Sequence, residues 1–205
     1  MRARSYAGAI GLTVALAIGA ACANGHRPAA APSPGSGVNV NAPAGQASEP
    51  NSAGDIPDTQ AFVAFTAPDG SFTVQIPEGW ARTDAPGNVT FSDNYNSVTV
   101  ESHTGTEPTV DSVRSTELAT IAGSDPSVTS ADVRTVDRAA GHAILVTFNR
   151  NSAPNPVTGK VVAAAVERYE FFHAGHIVVL TLAGPVGADN VDPWRKVTDS
   201  FRWLP

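Results

Sequence analysis

The sequence predicts an α+β domain in which an antiparallel β-sheet is packed by a mid-chain helix and a C-terminal helix. Three observations predict it. Beyond residue 61, apolar and polar residues alternate with period two in short runs separated by turn signals. The period lengthens to that of a helix in two stretches, "TVDSVRSTELATIAG" and "NVDPWRKVTDSFRWLP". Nothing in the order of these runs resembles a repeating strand–helix–strand unit, so a parallel sheet is not expected.

The first run is "SFTVQI", where Phe72, Val74 and Ile76 face one way and Ser71, Thr73 and Gln75 the other. Phe62 to Ala67 precedes it, and "APDG" joins the two as a turn, with Pro68 where φ is held near −65° and Gly70 where φ > 0 is tolerated. A hairpin is expected, and it must stop at Pro77, which has no N–H for the ladder. Gly79 permits a change of direction and Trp80 is expected to anchor the end of the core. "NVTF" from Asn88 and "SVTVES" from Ser97 read as two further strands, with "APGN" as the turn before them.

In the mid-chain helix Val110, Val113, Leu118 and Ile121 share one face, Thr109 caps the start and Gly123 ends it. Strands resume over Ser130 to Asp137, His142 to Phe148, Lys160 to His173 and His176 to Leu182. "AILV" and "IVVL" are apolar on both faces, so their strands should be central and covered on both sides. The C-terminal helix takes Asp192 as N-cap and Pro193 as its first residue, with Trp194, Val197 and Phe201 on one face. The two helices are expected on opposite faces of the sheet.

The chain of 205 residues is 42% hydrophobic and 16% charged, and thirteen of its fourteen aromatic residues lie beyond position 61. The core-forming material therefore belongs to residues 61–205. Residues 1–21 carry Arg2 and Arg4 ahead of a small and apolar run from Ala7 to Ala21, the arrangement of a secretory signal. Fifteen apolar residues fall short of the roughly 20 that cross a bilayer. Between them, residues 22–60 are rich in Pro, Ala, Gly and Ser and lack aromatics, so they are expected to form a disordered tether. A coil of that length spans roughly 35 Å on average.

Cys22 is the single cysteine and directly follows the apolar run. "GAAC", Gly19 to Cys22, resembles the lipobox of bacterial lipoproteins, although Gly19 stands where that pattern has a branched apolar residue. The resemblance implies that Cys22 takes a diacylglycerol and becomes the N-terminus; ordinary cleavage after Ala23, giving a secreted protein, is the alternative. Removal of Arg2 and Arg4 changes the formal charge from −6 to −8, with 11 basic and 19 acidic residues. Such a surface suits neither nucleic acid nor adsorption to anionic lipid. Attachment to the membrane is expected through the lipid.

Two further segments carry a family resemblance. "APDGSFTVQIPEGW" is similar to the opening of PsbP-like domains, and "WRKVTDSFRW" resembles their terminal helix. With the signal, the cysteine and the tether, the chain resembles LpqN-type actinobacterial (mycobacterial) envelope lipoproteins. The resemblance implies an α/β/α sandwich acting as a non-enzymatic accessory or adaptor domain that binds another envelope component, on the outer face of the cytoplasmic membrane or in the envelope. It brings no catalytic residues and no cofactor.

Among candidate sites, Tyr169, Phe171, Phe172 and Trp203 are more aromatics than one strand face hides; most are expected to pack under the helices, with a ligand-binding groove between sheet and helix lined by them as the alternative. A carrier of a small apolar or lipid ligand is accordingly the alternative function. His173 and His176 flank a two-residue turn and could share a metal only with a third ligand such as His103, His142 or Glu170. No metal site is therefore expected. "DNYN", Asp93 to Asn96, lacks the glycine and the bidentate glutamate of a calcium loop and reads as an exposed turn.

Overall fold

The computed structural model describes residues 54–155 and 157–205. The expected signal, Cys22 and most of the tether lie outside the described residues.

Strands β1 (Phe62–Thr66) and β2 (Phe72–Pro77) form the expected hairpin. Its turn is closed by the Gly70 N–H donating to the Ala67 carbonyl at 2.9 Å, with Gly70 at φ +74°. Strand pairing ends at Pro77, and Gly79 turns the chain at φ +84°. Beyond Trp80 come β3 (Ala81–Ala85), β4 (Asn88–Asp93) and β5 (Asn96–Thr104), joined by tight turns. β3 was not foreseen, because "ARTDA" is exposed at every position and has no apolar alternation to read.

Four long strands complete the sheet: β6 (Thr129–Arg138), β7 (Gly141–Asn151), β8 (Ala163–His173) and β9 (His176–Pro185). The order is β3-β4-β5-β9-β8-β7-β6, with every pair antiparallel. β1, β2 and a short β10 (Arg202–Trp203) form a separate three-stranded sheet rather than joining the large one.

The mid-chain helix runs as α1 (Val110–Val113), a π-helical stretch (Arg114–Leu118) and α2 (Ala119–Ser124). Thr109 caps it as expected, its hydroxyl accepting from the Ser112 N–H while the Ser112 hydroxyl accepts from the Thr109 N–H. The five-residue step from Val113 to Leu118 explains the π stretch. An α-helix would rotate Leu118 well off the face of Val113, whereas the wider i→i+5 turn brings it back. Val110, Leu118 and Ile121 then pack with Val113 on the cluster of Ile144, Val146, Phe148 and Val166.

Helix α3 (Val191–Ser200) begins two residues earlier than expected. Asn190, not Asp192, is the N-cap, and Pro193 is the third helical residue rather than the first. Pro193 costs no hydrogen bond there, because the first intrahelical N–H to be engaged is that of Trp194, donating to the Asn190 carbonyl at 2.9 Å. The Asn190 side chain makes no cap bond. It accepts from the Ile56 N–H at 2.8 Å and donates to the Gly54 carbonyl and to Asn96 Oδ1, both at 3.1 Å, so it ties the segment before β1 to the domain.

The large sheet is buried on both faces, as "AILV" and "IVVL" require. On one face Leu145, Phe171, Val178, Leu180 and Leu182 pack beneath α3 and the small sheet, through Phe72, Val74, Ile76, Trp194, Val197 and Phe201. On the other, the mid-chain helix covers the Ile144–Val146–Phe148 row. The architecture is α+β, with the two helical segments on opposite faces. Trp80 does anchor the first core, meeting Trp194 edge to face at 6.3 Å.

Candidate functional site

Of the four aromatic residues weighed for a groove, the three on β8 are divided by its pleat. Tyr169 and Phe171 point to the α3 side and are buried in the core, while Phe172 takes the opposite face with Glu170. Phe171 stacks on Phe201 with ring centroids 4.4 Å apart, and Trp203 meets Phe201 edge to face at 5.2 Å. The Tyr169 hydroxyl donates to Glu167 Oε2 at 2.6 Å and accepts from Arg138 Nη2 at 2.8 Å, with the Arg138 guanidinium 4.8 Å from the ring centre. Burial and the Glu167 carboxylate push the Tyr169 phenol above its usual range. The space between sheet and α3 is thus occupied by these side chains themselves.

His173 and His176 form the cross-strand pair that closes the β8–β9 hairpin, over Ala174 (φ +48°) and Gly175 (φ +83°). Both are exposed, and the His173 ring lies 5.6 Å from that of Trp203. His142 is engaged by Asp137 on the edge of the sheet. Among the described residues no group of three or more His, Cys, Asp or Glu is placed to hold a metal ion.

An open groove lies elsewhere, between the β1–β2 turn and the β3–β4–β5 end of the large sheet. It encloses about 340 Å³. Phe65, Phe72, Val89 and Val100 supply its apolar floor, and Asp69 and Asp84 stand along it with Arg82. Arg82 is clamped to Asp84 at 2.7 Å and lies over the Phe65 and Phe91 rings, 5.5 and 5.9 Å from their centres. The hydroxyl and N–H of Ser71 both donate to Asp69 and hold its carboxyl below the usual range, so that it is firmly anionic. Arg82, Asp84 and Ala85 belong to β3, whose outer edge is the rim of the seven-stranded sheet. Sequence reading missed this groove because the hairpin and the large sheet that bound it are far apart in sequence and meet only through packing.

A second polar feature lies on the opposite face, under the π-helical stretch. Arg168 donates from Nη1 to Glu101 at 2.6 Å and to Thr181 at 3.0 Å, and from Nε to Glu117 at 3.1 Å. Glu170, one of the residues weighed as a third metal ligand, sits beside this set and is 1% exposed. Its Oε1 has no hydrogen-bond partner. Burial, and next the Glu117 carboxylate within hydrogen-bonding reach, push the Glu170 carboxyl up to about 8, with Arg168 opposing. At neutral pH these surroundings bias the Glu170 carboxyl toward its protonated form. Even with Glu170 protonated, the Glu101 and Glu117 carboxylates outnumber the one guanidinium.

Fold and site together define an α+β domain with an open groove at a sheet edge and a buried carboxyl site under a π-helical turn. The sequence matches no protein-family model and no curated protein. Among solved structures it is similar to cyanobacterial PsbP (CyanoP) of Synechocystis, at 14% identity and TM-score 0.49 over 80% of this chain and all of that one. It is also similar to LpqN of Mycobacterium tuberculosis, a protein involved in cell envelope biogenesis, at 13% identity and TM-score 0.40 over 72% and 93% of the two chains. A protein of Bacteroides thetaiotaomicron matches at 13% identity and TM-score 0.45, over 69% of this chain and about half (48%) of the Bacteroides one. Both kinds of protein named by the sequence resemblance are among these structures. No helix of the described residues is long and apolar enough to cross a membrane.

Proposed function

We propose that the chain is an exported envelope protein, anchored through a lipid on Cys22, whose domain is a non-enzymatic docking module for another envelope protein. The groove beside β3 is the observation that carries this reading. Its apolar floor and the outer edge of β3 suit an extended segment, which can add main-chain hydrogen bonds to a strand edge while alternate side chains fill the floor. Two carboxylates, Asp69 and Asp84, against one arginine along the groove select a segment that is basic as well as apolar. The tether of residues 22–60, roughly 35 Å in a coil, lets the groove reach a partner away from the bilayer.

The test places a photoreactive amino acid at Ala85, in the groove, or at Ser115, on the opposite face, in the full chain in its own membranes. The expected result is one discrete protein adduct from position 85, absent from position 115 and lost when Asp69→Lys and Asp84→Lys reverse the groove's charge. Equal adducts from both positions, or an adduct indifferent to the charge reversal, contradict the reading. A covalent dimer from position 85 would make the groove a self-association surface, and a lipid adduct would favour a carrier.

A further inference from the structure

Buried Glu170 is among the residues that line an open cleft of about 320 Å³ on the face of the sheet opposite the groove. Pro108, Val110, Ile144 and Phe172 give this cavity apolar walls, and Glu107 stands exposed at its margin. A buried carboxyl beside an apolar cleft, with a second carboxylate exposed at its margin, is complementary to a cation on an aliphatic stem. We propose that this cavity is a receptor for an alkylguanidinium or alkylammonium group, the chemistry of an arginine or lysine side chain or of a free aliphatic amine.

Two independent observations support this. The first is the orphaned oxygen: Glu170 is 1% exposed, and its Oε1 accepts nothing. A buried acceptor without a partner is costly, and the great majority of such atoms in folded proteins are satisfied. The local cation does not supply the missing donor: Arg168 directs Nη1 to Glu101 and Thr181 and Nε to Glu117, and none of its N–H groups is bonded to Glu170 Oε1. The second is the shape and chemistry of the walls. Methylene groups of a long basic side chain gain from burial against Val110, Ile144 and Phe172, while its head gains a charge-assisted hydrogen bond. A metal ion is not the fitting ligand, since among the described residues no three His, Cys, Asp or Glu are placed to hold one. This site is independent of the groove beside β3 and stands or falls separately from it.

Binding is linked to protons. The groups facing Glu170 are Glu117 from the π-helical stretch, Arg168 from its own strand and Glu101 from β5; Glu107 and His142, the latter held by Asp137, line the cavity. A carboxyl pushed up to about 8 is mostly protonated at pH 7. An entering cation stabilises the carboxylate and expels that proton, so about one proton leaves per cation bound and affinity rises with pH toward about 8.

The experiment is calorimetric titration of the full chain at pH 7 with n-butylguanidinium chloride, in two buffers of different ionisation enthalpy. The isosteric but neutral n-butylurea serves as control, and acetyl-Gly-Arg-Gly-amide as peptide probe. The expected result is saturable binding of the guanidinium with release of about one proton, at least about tenfold weaker binding of the urea, and a similar loss in Glu170→Gln. Circular dichroism establishes that Glu170→Gln is folded; should it not be, Glu107→Gln at the exposed margin is expected to weaken binding several-fold instead. Tighter binding of the peptide than of n-butylguanidinium assigns the site to a partner's side chain, and the reverse to a free amine. No saturable binding, equal binding of the urea, binding without proton release, or binding unaffected by the folded carboxyl variant overturns the proposal.

Discussion

Glu170 carries a pH dependence whose sign follows from its surroundings. Its carboxyl is raised from an ordinary 4.5 to about 8 by burial and by Glu117. Below about 4.5 it is protonated in both the folded and the unfolded chain and contributes no slope. Between 4.5 and 8 the unfolded chain releases the proton while the folded one retains it, so stability falls as pH rises, and above about 8 the loss is complete. Glu170→Gln removes this slope. Unfolding free energies of the two proteins from denaturant titration should diverge in favour of the variant by on the order of 3 kcal/mol between pH 5 and pH 8, and parallel curves would contradict the assignment. The sequence of β8 shows why Glu170 escaped a residue-level reading. "ERYEFF" places Arg168, Glu170 and Phe172 on one face, yet nothing in that spacing says that Glu117 arrives from 53 positions earlier to compete for the same arginine. The aromatic residues of this strand were legible as core material, and their division by the pleat follows from period two alone.

At the scale of elements, the hairpin, the mid-chain helix and the central strands were readable because each buries a face, and burial writes a period into the sequence. β3 and β10 were not, since the first is exposed throughout and the second is only two residues long. The helix start at Asn190 was missed for another reason. Asn190 looks like a loop residue, and its side chain serves Ile56, Gly54 and Asn96 rather than its own helix, so no local cap signal marks it. The π-helical stretch gives a direct prediction. If it exists to bring Leu118 back to the face of Val113, deleting the exposed Ser115 shortens that step to four residues, which an ordinary α-helix accommodates. The deletion should fold with helical content retained and lose no more than about 1–2 kcal/mol by urea titration. Loss of cooperative unfolding would show that the stretch has a different cause.

Over the whole molecule, the two proposed binding surfaces lie on opposite faces of one sheet: an acidic, apolar groove at the β3 edge and a cleft lined by Glu170 beside the mid-chain helix. The central claim is that this domain, held to the membrane by a lipid on Cys22, docks another envelope protein through the groove. Native mass spectrometry of the full chain, extracted from its own membranes in mild detergent, tests both halves at once. The account predicts a mass increase of diacylglyceryl size on the mature N-terminus and a bound second protein, with the companion, but not the lipid, absent from the Asp69→Lys, Asp84→Lys variant. An unmodified N-terminus would contradict the anchoring, and a chain that carries no protein companion, or keeps it after the charge reversal, would contradict docking through the groove.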